Sequence, residues 1–145
     1  MSRGYPDFFS VPIFPTKGAF KTESDSLVVA TATVPILLTL AAKGNLVSGA
    51  INATGIVAGD DPGLIFTIDG VVASAVTRAA SLRYSRGMGS GFLADIFLDD
   101  LSLSEWAVKL NPEFDWGQSI SVQAINNTGH DLTFGWAFQW YEVVK

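Results

Sequence analysis

Hydrophobic and polar residues alternate with a period of two along much of this chain, most clearly in "DLTFGWAFQWYEVV". There Leu132, Phe134, Trp136, Phe138 and Trp140 fall on one face, with Thr133, Gly135, Ala137, Gln139 and Tyr141 on the other. Successive side chains of a strand point to opposite faces, so the pattern predicts a long strand with one heavily aromatic side. Just upstream, Ile120, Val122 and Ala124 alternate up to Asn126-Asn127-Thr128-Gly129, a strong turn signal. Residues 118–126 and 131–143 therefore read as a hairpin. A second hairpin is predicted where Leu64, Phe66 and Ile68 alternate up to Asp69-Gly70, a favoured two-residue turn, and Val72 and Ser74 begin the return.

Further strands are expected at 26–33, 36–42, 46–57, 92–98 and 105–110. Turns fall at Lys43-Gly44-Asn45, at Gly59-Asp60-Asp61-Pro62-Gly63 and at Asn111-Pro112. The loop 78–91, "RAASLRYSRGMGSG", is the longest and the richest in Gly and Ser, a length that suits a functional or mobile segment. No stretch carries an extended i, i+3, i+4, i+7 apolar stripe with caps at both ends. Eight or nine short strands without a helix predict an all-β fold: a single β-sandwich, jelly-roll-like, over residues 26–145.

The first twenty residues, "MSRGYPDFFSVPIFPTKGAF", break the alternation. Pro6, Pro12 and Pro15 interrupt any helix, while five aromatics make the stretch too apolar for a disordered tail. The expectation is an extended N-terminal arm over residues 1–25. Its Tyr5, Phe8, Phe9, Phe14 and Phe20 would bind a partner along a path that the prolines pre-set at lower entropic cost.

Composition sharpens this picture. The chain has 145 residues, which suits one domain, and 16% of them are charged. A globular domain usually has about 25%. Either Ser, Thr, Asn and Gly supply the polar surface of the sheets, or part of the surface is covered by neighbouring subunits. The net charge is −5 and the nine basic residues are scattered, which gives nucleic-acid binding little support. Arg78, Arg83 and Arg86 come nearest to a cluster and read as a solvated loop. With no cysteine there is no disulfide, thiolate metal site or Cys nucleophile. The longest apolar run, residues 27–42, contains Pro35 and is shorter than the about 20 residues of a membrane helix. No basic, then apolar, then small-residue leader opens the chain. The expectation is a soluble protein without a membrane partner or export signal.

Candidate chemistry is sparse. His130 is the single histidine, so a Ser-His-Asp triad would have to use it with the adjacent Asp131. It sits in a polar turn, no nucleophile-elbow motif is present, and no catalytic residue is assigned. A glycosidase needs two carboxylates about 5 to 9 Å apart. Asp95, Asp99, Asp100, Glu105, Glu113 and Asp115 are available, but nothing singles out a pair. Asp60-Asp61 and Asp99-Asp100 offer loop oxygens to Ca²⁺, yet paired Asp residues are ordinary turn formers, and no metal or cofactor is assigned. Asn52-Ala53-Thr54 and Asn126-Asn127-Thr128 match the glycosylation sequon, which matters only in a eukaryotic secretory setting. Trp136 and Trp140 share the aromatic face of the last strand and belong to a core or an interface. Trp106 and Trp116 flank "NPEFD" and are the candidates for an exposed aromatic platform that would stack on sugars, with a core position as the competing reading.

The opening "GYPDFF", followed by "IFP" and a glycine, resembles the start of small proteins encoded in tailed bacteriophages and prophages. "LIFTIDG" and "SISVQAINNTGHDLTFGWAFQWYEV" are similar to the hairpins of small phage virion proteins that fold as β-sandwiches. The first likeness covers the leader and the second the two predicted hairpins; no site residues carry over. The resemblance implies a non-enzymatic structural protein assembled into the virion in the bacterial cytoplasm. The first expectation is a capsid decoration or cement protein that binds the major capsid protein or other virion subunits as a homotrimer. The alternative is a tail, baseplate or fibre component that recognises host glycans through Trp106 and Trp116.

Overall fold

The computed structural model describes residues 18–84, 94–110 and 115–143. Among them are ten strands and one short helix. The strands are β1 (Ala19–Val29), β2 (Ile36–Leu40), β3 (Gly44–Thr54), β4 (Gly63–Ile68), β5 (Val71–Thr77), β6 (Ala94–Asp100), β7 (Glu105–Leu110), β8 (Asp115–Trp116), β9 (Ile120–Ile125) and β10 (Leu132–Glu142). Helix α1 (Arg78–Tyr84) follows β5. The larger sheet runs β1-β10-β3-β7-β6, with β8 also pairing to β3; the smaller runs β2-β9-β4-β5. All pairings are antiparallel. The chain is an all-β sandwich of two antiparallel sheets, as the alternation predicts.

The register follows from which side chains must leave water. Leu132, Phe134, Phe138 and Trp140 of β10 are buried, and Trp136 packs partly buried against them. Opposite, Leu64 and Phe66 of β4 and Ile120, Val122 and Ala124 of β9 close the core. At roughly 25 cal/mol per Å² of apolar surface removed from water, burial of this core is the main favourable contribution to folding.

Register shifts interrupt four of the pairings, and two of them, both in the larger sheet, bear on the faces described here. On β3, the register shift opposite Gln139 and Trp140 leaves Val47 as an extra residue, so that Leu46 and Ile51 both turn inward despite their odd spacing. On β6, the shift between Ile96 and Leu98 leaves Phe97 unpaired and 67% exposed.

Several expectations need correction. Residues 118–126 and 131–143 do not form a hairpin. β9 pairs with β2 and β4, whereas β10 pairs with β1 and β3, so the Asn126–Asp131 turn crosses between sheets. An apolar face on each strand is satisfied equally well by facing the other strand across a core as by lying beside it. The arm does not extend to residue 25, because β1 begins at Ala19 and pairs with β10 from there. The supposed loop 78–91 opens with α1, whose Ala80 N–H is capped by the Thr77 hydroxyl at 3.2 Å. The Asp69-Gly70 hairpin is present, with both residues at positive φ (52° and 82°), the type I′ geometry that Asp-Gly favours. Asn111-Pro112 lies outside the described residues.

The buried row of β10 yields the first prediction. Phe134→Ala should lose about 3–5 kcal/mol, while Val72→Ser, at a 62% exposed position, should change stability by no more than about 0.5 kcal/mol. Urea unfolding midpoints for the two variants check this, and equal shifts would contradict the assigned core.

Candidate functional site

Polar side chains gather at the two ends of the sandwich, and each group ties loops together. At one end, Asn126 is buried (1% exposed) in the turn from β9 to β10. Its side-chain amide donates to the carbonyls of Val29 (2.8 Å) and His130 (2.9 Å). Its Oδ1 accepts from the Thr128 N–H (3.0 Å) and hydroxyl (2.6 Å). Its backbone meets Ala32 and Thr33. The residue satisfies every polar atom it buries and fastens the β1–β2 connection to the β9–β10 connection. So deep an amide is not an accessible glycan acceptor.

Next to it, His130 Nε2 lies 2.7 Å from Asp60 Oδ2, which also accepts the Val57 N–H at 2.9 Å. The facing carboxylate assigns the proton to Nε2. Nδ1 sits 3.2 Å from the Asp131 carbonyl. Asp131 therefore meets His130 through its backbone, and the carboxylate partner is Asp60, seventy residues away. Nε2 is taken up by Asp60 and Nδ1 faces the adjacent backbone carbonyl, so neither nitrogen faces a serine hydroxyl as a triad requires.

Arg78, at the start of α1, makes a two-pronged ion pair with Asp99 at 2.6 and 3.0 Å and donates to the Asp60 carbonyl at 3.1 Å. The Asp99 carboxylate raises the guanidinium's pKa further above its ordinary value. This corrects the reading of Arg78 as part of a solvated loop. Asp61 accepts the Ala79 N–H, and Asp100 accepts from the hydroxyl and N–H of Ser102, which lowers its pKa. Both Asp pairs are thus turn fasteners. Among the described residues, no group of three or more His, Asp or Glu side chains is arranged to hold a metal.

At the opposite end, the Asp69 carboxylate accepts the N–H groups of Gly117, Gln118 and Ser119 at 2.6 to 3.1 Å. These bonds, Gly117 first, hold its pKa below the ordinary carboxylate value. Asp69 joins the β4–β5 turn to the segment leading into β9. Its turn role is legible in the sequence; its capture of a remote backbone is not.

The sequence-derived aromatic sites fall apart in the structure. Trp106 and Trp116 are each 1% exposed, so neither is a platform. Trp106 lies on the inward face of β7 and donates its indole N–H to Ser81 of α1 at 3.0 Å. Trp116 donates to the Ala42 carbonyl. Burial of each ring was compatible with sealing its one polar atom, and the core won. Phe20 is part of β1 and packs edge-on against Tyr141, ring centroids 5.4 Å apart. Tyr5, Phe8, Phe9 and Phe14 lie outside the described residues.

What the sequence does not reveal is a groove of about 550 Å³ on the outer face of the larger sheet. Gly135 and Ala137 of β10, Ala50 of β3 and Ala107 of β7 form its floor. Ser24 and Ser26 of β1 rim one side and the bulged Phe97 the other. Asn52 donates to Glu105 within it at 2.8 Å. The Asn52 carbonyl oxygen lies 2.6 Å from where a Cβ on residue 135 would sit, so glycine there gives the amide its place. Beyond Phe97 lies a second hollow of about 380 Å³ that includes Lys109.

Comparison with known proteins adds no assignment: no protein-family model and no curated protein matches the sequence.

The loop fasteners give two predictions. Asn126→Ala should cost about 1–3 kcal/mol for each backbone group left without a partner, read as a lower melting temperature. Asp69→Asn should destabilise the chain at pH 7 with a smaller deficit in acid. The wild-type carboxylate has a depressed folded pKa, so its contribution is present above the unfolded value of about 3.9 and fades as pH falls through the folded one. Urea midpoints at pH 7 and pH 3 measure this; a deficit independent of pH would contradict the role of the charge.

Proposed function

We propose that the chain is a structural protein of a bacteriophage virion, a capsid decoration or cement protein that binds the major capsid protein and reinforces the shell as a homotrimer. The observation that carries this reading is apolar surface left in water at the sheet edges. Edge strand β5, "VVASAVT", has neither charge nor proline, and Val71 and Val72 are 68% and 62% exposed. Uncharged edges are templates for pairing with another chain, and isolated proteins usually blunt them. Such a surface suits a subunit that works among neighbours.

The strand order is in keeping with this. β1-β10-β3-β7 facing β2-β9-β4-β5 is the order that an eight-stranded jelly roll would have, with β6 and β8 added. Jelly rolls serve in viral capsids, a link by analogy of fold. The resemblance of the leader to phage-encoded proteins points the same way. A tail location shares all of this surface logic, but glycan recognition through Trp106 and Trp116 has lost its exposed rings.

Mass spectrometry of purified particles of the encoding phage should find the chain in near-stoichiometric ratio to another shell subunit. Its absence from the particles would overturn the proposal. A chain lacking residues 2–17 should still fold, because β1 begins at Ala19 and the first buried core residue among the described ones is Val29, and should fail to join the particle.

A further inference from the structure

The groove on the outer face of the larger sheet has a costly construction. Glycine and alanine are poor strand formers, yet they occupy the outward positions of three adjacent central strands, β10, β3 and β7. Glycine inside a strand often marks where a ligand or another backbone comes close. The bulge on β6 turns Phe97 out over the same groove, and bulges commonly re-aim a side chain beside a binding site. The result is a floor of small side chains beside the exposed Phe97, with the half-buried Trp136 also lining the groove. Its charged lining residues, Asp25 and Glu105, are both acidic.

The chain carries a segment of matching chemistry. Residues 1–17 hold Tyr5, Phe8, Phe9 and Phe14, which are large where the groove is empty. Arg3 and Lys17 flank the aromatic stretch, whose own single charge is Asp7. Seventeen residues reach up to about 55 Å when extended, enough to pass from one molecule to the next.

The chain enters β1 well away from its own groove. Gly18 still lies against the backbone of Glu142 and Val143, so tightly that a Cβ there would fall on the Glu142 carbonyl. Gly18 is therefore still held in line with the strand. That line points away from Ser24 and Ser26, which rim its own groove about 20 Å back along β1.

We infer that the outer groove of one copy receives the aromatic segment of residues 5–14 from a second copy of this chain, against the Gly/Ala floor and beside Phe97. This rests on the reading of the protein as a self-assembling virion subunit and supplies the contact between its copies.

Because the chain has no cysteine, the contact can be mapped with introduced ones. A tagged full-length chain carrying Tyr5→Cys, Phe8→Cys, Phe9→Cys or Phe14→Cys is mixed with an untagged chain carrying Ala137→Cys in the groove floor. A short bismaleimide is then added. Val72→Cys, on the other sheet, is the comparison, and circular dichroism confirms that each variant is folded. The expected result is a tagged–untagged dimer with Ala137→Cys for at least one arm position and none with Val72→Cys. Equal or stronger capture by Val72→Cys overturns the groove as the arm's seat while leaving an arm between copies in place. Cross-linking confined to one chain, in a variant carrying both cysteines, shows the arm in its own groove and overturns the inference. So does the lack of any cross-link to Ala137→Cys. None of these outcomes bears on whether the chain is found in particles, so the virion reading stands or falls separately.

Discussion

The inward row of β10 places Leu132, Phe134, Phe138 and Trp140 in the core, and the other strands are arranged around the need to keep that row dry. β10 pairs on one side with β1 and on the other with β3, so its backbone is satisfied along its length. Its apolar face then requires a second layer, which β9 and β4 supply from the smaller sheet. The bulge at Val47 serves the same demand by bringing both Leu46 and Ile51 under the β10 row. Charge is scarce in the sequence partly because strand faces of this kind take up so many positions.

The polar residues that remain are spent mostly at the ends. Asn126, His130, Asp60, Arg78 and Asp99 secure loops at one end, and Asp69 does so at the other. Each meets a partner distant in sequence. Six-stranded and four-stranded sheets packed face to face are joined by many crossings, and each crossing exposes backbone groups that must be satisfied somewhere. These fasteners stabilise the crossings without widening the apolar core.

Period-two alternation made the strands legible, and Asp69-Gly70 made one turn legible down to its backbone geometry. What alternation cannot encode is which sheet a strand joins. Ile120–Ala124 and Leu132–Trp140 present apolar rows that fit a hairpin or two opposed layers, and the buried Asn126 amide selects the second. The bulges at Val47 and Phe97 were hidden for a similar reason, since an extra residue leaves no mark when its neighbours are also apolar. Trp106 and Trp116 misled because a polar turn beside a tryptophan suggests exposure. Ser81 and the Ala42 carbonyl, which accept their indole protons, come from far along the chain. The groove escaped notice because it is made of what small residues on four strands leave unfilled beside Phe97 of a fifth.

The place of β10 also sets an order of events during biosynthesis. Of the described strands it is the last to leave the ribosome, yet it lies between β1 and β3, with Ala19 opposite Glu142. Until it arrives, β1 has no partner and β3 has one open flank, so the larger sheet cannot close on a partly made chain. Pairings of such long sequence separation form slowly, and the waiting edges are open to wrong partners. A nascent chain of this protein therefore holds open strand edges until β10 is free, and the finished molecule still exposes the apolar edge of β5.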